Sequence, residues 1–148
     1  MAIERNARAT WTGDLRNGQG EFDLESSHSL EHEQVTYASR FEQPGGKTSP
    51  EELIAAAHAT CFSMALAGGL ARAGNAPTKL ETDAQVTLDN ADGSGFSITA
   101  IHLTVRGQVD GLDEAGFEQA AQEAKENCPV SKALGAVPEI TLDASLGS

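Results

Sequence analysis

The chain has 148 residues, 39% of them hydrophobic and 22% charged, and a formal charge of −12. That length suits a single domain, residues 1–148, with its own core, and that acidity excludes nucleic-acid binding through phosphates, which needs a basic footprint. No apolar run follows Met1 in MAIERNARATW, so no signal peptide is expected and the protein reads as cytoplasmic, where two cysteines are expected as free thiols rather than as a structural bridge.

In chain order, Ala7, Ala9 and Trp11 alternate with Arg8 and Thr10 as in a half-buried strand. Asn17-Gly18 marks a hairpin turn, and Phe22 and Leu24 alternate on the return. Residues 25–34, ESSHSLEHEQ, read as a polar loop. Val35, Tyr37, Ser39 and Phe41 then predict a third strand, with Thr36, Ala38 and Arg40 on its other face. The loop EQPGGKTS follows. Next comes SPEELIAAAHATCFSMALAGGLARAG, from Ser49 to Gly74. It predicts a helix of about 24 residues, roughly 36 Å long. Ser49 can cap it, Pro50 suits its first position, and Glu52 stands where a capping box needs it. Gly74 suits a left-handed stop, and Pro77 cannot carry the helix on. From Leu53 to Leu70 the only strongly polar residue is His58, so little of the helix surface can face water. Its glycines and alanines make it a poor membrane span.

Beyond the helix, Leu80 to Asp89 is expected to contain a short strand ending at NADGSG, and Phe96 to Gln108 another strand. In the second the apolar parity switches between Ala100 and Ile101, which predicts a bulge or a strand covered on both faces. DEAGFEQAAQEAKEN predicts a helix with Phe117, Ala120, Ala121 and Ala124 on one stripe. Pro129 disfavours helix at Cys128, placing that cysteine at a junction before a short helix in PVSKALG. Ile140, Leu142, Ala144 and Leu146 form an alternating edge strand. The order β-β-β-α-β-β-α-β, with hairpins, predicts an α+β fold with antiparallel sheet.

Cys61 and Cys128 carry the candidate chemistry. Either could be a small apolar filler. Together, one in mid-helix and one at a helix junction, they fit a nucleophile with a resolving partner, provided their Cα atoms come within about 7 Å. The amides of the helix after Cys128 could favour a thiolate there. His58 and Cys61, with Cys128 and His102, could form a metal set, but zinc prefers clustered pairs such as CxxC and none is present, so no metal and no cofactor is expected. His58 otherwise reads as a core histidine with a satisfied ring, and His28 and His32 as solvated loop residues. Glu51 and Glu52 are first-turn acids suited to the helix dipole, and Arg40 by itself reads as a surface cation.

The run SPEELIAAAHATCFSMAL, with NCPVSKAL, ITLDASL, the RFE before the glycine loop and TWTGDLRNGQG at the start, resembles the OsmC family of peroxidases, related to the Ohr organic-hydroperoxide-resistance proteins. HATCFSMAL looks like the OsmC branch. The resemblance implies antiparallel sheets packed around long central helices in an intertwined homodimer. It implies a peroxidatic Cys61, a resolving Cys128, an active-site Arg40 and a partner glutamate in Glu51. The implied activity is thiol-dependent reduction of organic hydroperoxides, hydrogen peroxide less well, in oxidative and osmotic stress defence. Cys61 sulfenic acid would condense to a Cys61–Cys128 disulfide, which an external thiol or dithiol reduces. Phe62, Met64 and Leu66 would supply an apolar surround favouring organic peroxides.

Glu51 and Cys61 stand ten residues apart, about 15 Å along one helix. Either the helix breaks or the two serve different sites. A two-fold dimer in which each site takes Arg40 and Glu51 from the other subunit satisfies the spacing, and the all-round apolar helix asks for such a partner. The alternatives are a redox-sensing or ligand-binding dimer with a reversible disulfide and no turnover, or a structural dimer with inert buried cysteines.

Overall fold

A computed structural model describes residues 1–147. Two compact units divide the chain, Met1–Leu53 and the remainder from Ile54. In the first, β1 (Arg8–Thr12), β2 (Gln19–Asp23) and β3 (Glu33–Val35) form an antiparallel sheet in the order β1-β2-β3. The β1–β2 turn falls where Asn17-Gly18 predicts it. Asp14 Oδ1 organises it, accepting from the amides of Arg16 and Asn17 at 2.9 and 3.0 Å. Phe22 is buried, but every residue of β1 is exposed. The expectation of a half-buried first strand is therefore corrected: all five residues of β1 are exposed, Trp11 at 42%.

The expected third strand through Phe41 is also corrected. Pairing stops at Val35, and Tyr37–Phe41 is a short helix, α1. Thr36 caps it: its hydroxyl accepts from the Ser39 amide at 3.1 Å, and Ser39 Oγ accepts from the Thr36 amide at 2.9 Å. This reciprocal box satisfies two amides locally, which a strand would have to pair across a sheet.

The long helix α2 (Pro50–Arg72) runs unbroken. Ser49 Oγ accepts from the Glu52 amide at 3.2 Å as expected, whereas the Glu52 carboxylate accepts from the Thr48 hydroxyl at 2.7 Å. At the far end Gly74 has φ +89, the Asn75 amide donates to Leu70 O and the Gly74 amide to Ala71 O. Those paired bonds are the left-handed stop that glycine permits. His58, Phe62, Leu66 and Leu70 are buried at four-residue spacing, so one stripe of α2 enters the core. The expectation that little of the helix faces water is corrected for the single chain, since Met64 is 70% exposed. By length and composition α2 would pass as a membrane span. Its buried stripe instead joins a core with strands and a second helix.

In the second unit, β4 (Lys79–Asp89), β5 (Ser97–Gln108) and β6 (Glu139–Leu146) form a sheet in the order β4-β5-β6. The β4–β5 register slips at Thr87/Leu88, where Ala100 pairs with Thr87 and Ile98 with Leu88, leaving Thr99 as the extra residue. The expected bulge thus exists, just before Ala100 rather than after it, and it puts Ile98 on the face of Ile101, Leu103 and Val105. The expectation of purely antiparallel sheets is corrected at β6, which pairs parallel to β5. The reason is the crossover through α3 (Glu114–Asn127) and α4 (Pro129–Ala133), which returns the chain to the starting end of β5. The fold is α+β. Its core joins Phe62, Leu66 and Leu70 of α2 to Leu103 and Val105 of β5 and to Phe117, Ala121 and Ala124 of α3.

Gly107 marks the closest approach of sheet and helix. A Cβ there would meet the Phe117 ring at 2.5 Å, and Phe117 is fully buried and cannot yield. Gly107→Ala is expected to destabilise the fold by about 1–3 kcal/mol through overpacking, read as a lower urea midpoint with an unchanged slope.

Candidate active site

Cys61 lies in the middle of α2, half-buried, and Cys128 is fully buried between α3 and α4. The backbone at Cys128 is extended (φ −57, ψ 126), as the following proline requires. These two residues, 67 positions apart in sequence, meet: both thiols are free and within hydrogen-bonding reach of each other. Their proton affinities diverge. Burial pushes the Cys61 thiol up, and the neighbouring Cys128 sulfur adds to this; the Val130 amide opposes it. Burial also pushes Cys128 up, but donation from the Cys61 thiol, from the amide and hydroxyl of Ser131 and from the Val130 amide outweighs it, and Cys128 is lowered. The amides at the start of α4 thus favour a Cys128 thiolate, as the helix junction leads one to expect.

His58 is fully buried, and its Nε2 lies 2.7 Å from Ser131 Oγ. Burial lowers its pKa, so the ring is neutral. The satisfied ring expected for His58 is only half realised, because its Nδ1 has no hydrogen-bond partner among the described residues. Ser131 is the site residue that sequence reasoning missed. Its place in the first turn after Cys128-Pro129 was the available signal.

Arg40 and Glu51 form a second constellation, within the first unit. Arg40 Nε donates to both Glu51 oxygens at 3.2 and 3.3 Å, and Nη2 donates to Oε1 at 2.8 Å. Glu51 is 8% exposed. The guanidinium is therefore anchored by a buried carboxylate, a geometry that fixes its direction as well as its charge. It also lies 5.2 Å over the Phe41 ring. Arg40 is thus no free surface cation. His102 does not join Cys61 and Cys128: its Nδ1 bonds Thr141 and its Nε2 lies 3.1 Å from Asp143, on the face of β5 opposite Ile101 and Leu103. His28 and His32 lie exposed in the loop before β3.

A family profile described as OsmC-like protein matches residues 43–143. The chain belongs to the OsmC family. It is 46% identical over 148 residues to peroxiredoxin OsmC of Escherichia coli (strain K12), covering 100% of both chains. With an organic hydroperoxide resistance protein of Xanthomonas axonopodis pv. citri it shares 30% identity over 141 residues, 92% of this chain and 91% of that one. The higher identity to OsmC agrees with the branch that HATCFSMAL resembles. Among solved structures, an organic hydroperoxide resistance protein from Elizabethkingia anophelis matches with a TM-score of 0.74 at 25% identity, covering 99% of this chain and 100% of that one. This kinship makes the OsmC-family chain a cysteine-based peroxidase, an oxidoreductase.

Proposed function

We propose that this cytoplasmic enzyme reduces organic hydroperoxides, and hydrogen peroxide less well, in oxidative and osmotic stress defence, with one functional domain per chain. The observation that carries the reading is the pair of free thiols in contact, one half-buried and one fully buried. Cys61 thiolate attacks a peroxide oxygen: an S–O bond forms, the O–O bond breaks, and the alkoxide leaves as alcohol after taking a proton. Cys128 thiolate then attacks the Cys61 sulfur of the sulfenic acid. The S–S bond forms, the S–O bond breaks, and hydroxide leaves as water. An external thiol or dithiol reduces the disulfide. Preference for organic substrates is supported by the packing of Cys61 against the apolar core that includes Phe62 and Leu66, although Met64 is exposed.

Arg40 and Glu51 act from the partner subunit of a two-fold homodimer. Three observations support this. The unbroken α2 removes the alternative of a helix break between Glu51 and Cys61. Burial and the Cys128 sulfur push the Cys61 thiol up, and a guanidinium would supply a charge that ionises it and would hold a peroxide oxygen. The Met64 side of α2 and the apolar hollow of about 310 Å³ bounded by Trp11, Phe22, Val35 and Leu53 present surfaces that a second copy would cover.

Contacting free thiols also suit a reversible redox switch without turnover. Cys128→Ser separates the two readings. As a peroxidase, that variant consumes about one equivalent of hydroperoxide per chain, accumulates Cys61 sulfenic acid and stalls or over-oxidises. Wild-type chain that loses two thiols to one equivalent of hydroperoxide, yet does not turn over with any dithiol supplied, would be a switch.

A further inference from the structure

We propose that His58 and Ser131 form a donor relay that readies the Cys128 sulfur for attack on the oxidised Cys61, with Ser131 touching the reacting atom and His58 as a positioning residue. The relay rests on the two-cysteine reading above.

His58 stands on the buried stripe of α2, three residues before Cys61, and its Nε2 reaches Ser131 Oγ at 2.7 Å across 73 residues of sequence. Ser131 is in the first turn of α4, three residues after Cys128, and is 8% exposed. The unpartnered Nδ1 decides which way the protons point. A proton on Nδ1 would leave a buried N–H unmet, which carries the full desolvation penalty of a lost donor. A bare Nδ1 lone pair is the milder omission, as under-satisfied acceptors generally are. The proton therefore sits on Nε2 and is donated to Ser131 Oγ. Ser131 then cannot donate back to the ring, and its hydroxyl hydrogen is left for the Cys128 sulfur, to which it donates. Because burial keeps the imidazole neutral, the relay orients a dipole without adding a charge beside the thiolate.

The step it serves is the resolving one. Cys128 thiolate attacks the Cys61 sulfur, S–S forms, S–O breaks, and the hydroxide takes a proton from solvent. The titratable groups that reach Cys128 are Cys61 directly and His58 through Ser131.

Thiolate absorbance, followed against pH in a Cys61→Ala background, reads Cys128 alone and needs no peroxide. Ser131→Ala and His58→Leu are expected to raise its midpoint by about one pH unit, the size of one charge-assisted hydrogen bond. Ser131→Thr and His58→Gln, which keep a donor, restore the original midpoint, as a merely space-filling role would not require. In chains with both cysteines, single-turnover condensation of sulfenic acid to disulfide slows by about threefold at neutral pH: a tenfold loss of thiolate is partly offset by the stronger nucleophile. Formation of the sulfenic acid is not slowed, because a less ionised Cys128 relieves the upward push on the Cys61 thiol. A folded Ser131→Ala chain with an unmoved midpoint overturns the relay. A wild-type chain that forms no Cys61 sulfenic acid overturns the peroxidase reading instead, while the titration still decides the relay.

Discussion

Replacing Cys61 by serine is expected to abolish hydroperoxide consumption, lowering turnover on the order of a thousandfold or more, because a serine hydroxyl is neither ionised at neutral pH nor as nucleophilic as a thiolate. Within one chain the proton balance favours the other sulfur, since Cys128 is lowered and Cys61 raised. Access favours Cys61. Cys128 is 0% exposed, enclosed by Phe117, Ala121 and Ala124 of α3 and by α2, whereas Cys61 is half-buried. A thiolate that peroxide cannot reach does not react, so access decides which sulfur is oxidised first. On the proposed shared site, ionising Cys61 would fall to Arg40 of the partner subunit. Peroxide consumption in the presence of dithiol, with mass-spectrometric trapping of sulfenic acid, tests both parts. Turnover that persists in Cys61→Ser, with the trapped adduct on Cys128, would reverse the roles.

What the sequence made legible followed from local signals. Pro50, Ser49 and Gly74 bound α2 correctly because caps and left-handed stops depend on a few adjacent residues. Pro129 placed Cys128 at a junction for the same reason. The errors arose where two local rules compete or where the partner is distant. Val35, Tyr37, Ser39 and Phe41 alternate like a strand, yet Thr36 and Ser39 close a capping box that favours helix, and over five residues the box wins. The direction of β6 depends on the crossover through α3 and α4, which an alternating pattern does not encode. The helix positions of Cys61 and Cys128 suggest a pair but not their approach, and Ser131 was invisible as a partner of His58, because only the tertiary fold joins α2 to α4. Arg40 illustrates the same limit. A lone arginine near a loop is normally a solvated cation, and only the buried Glu51 fork makes it a directed one.

A mixture of two nearly inactive variants is expected to recover about a quarter of wild-type activity per chain if each site is shared in a two-fold dimer. The variants are Cys61→Ser, which lacks the nucleophile, and Arg40→Ala, expected to fall on the order of a hundredfold for want of the charge that ionises the thiol and holds the peroxide. Random association of co-expressed chains makes about half the dimers mixed. In each mixed dimer, the intact cysteine of the Arg40→Ala chain meets the intact Arg40 of the Cys61→Ser chain, while the other site lacks both. One site in two, in half the dimers, is the expected quarter. If Arg40 serves the cysteine of its own chain, no mixture regains activity, because every site then lacks one group or the other. A wild-type chain that is monomeric by light scattering and fully active would also remove the shared site. Recovery would mean that the fork between Arg40 and Glu51 acts on a thiol it does not share a chain with, so that the apolar side of α2 left open in one chain is what brings the catalytic groups together.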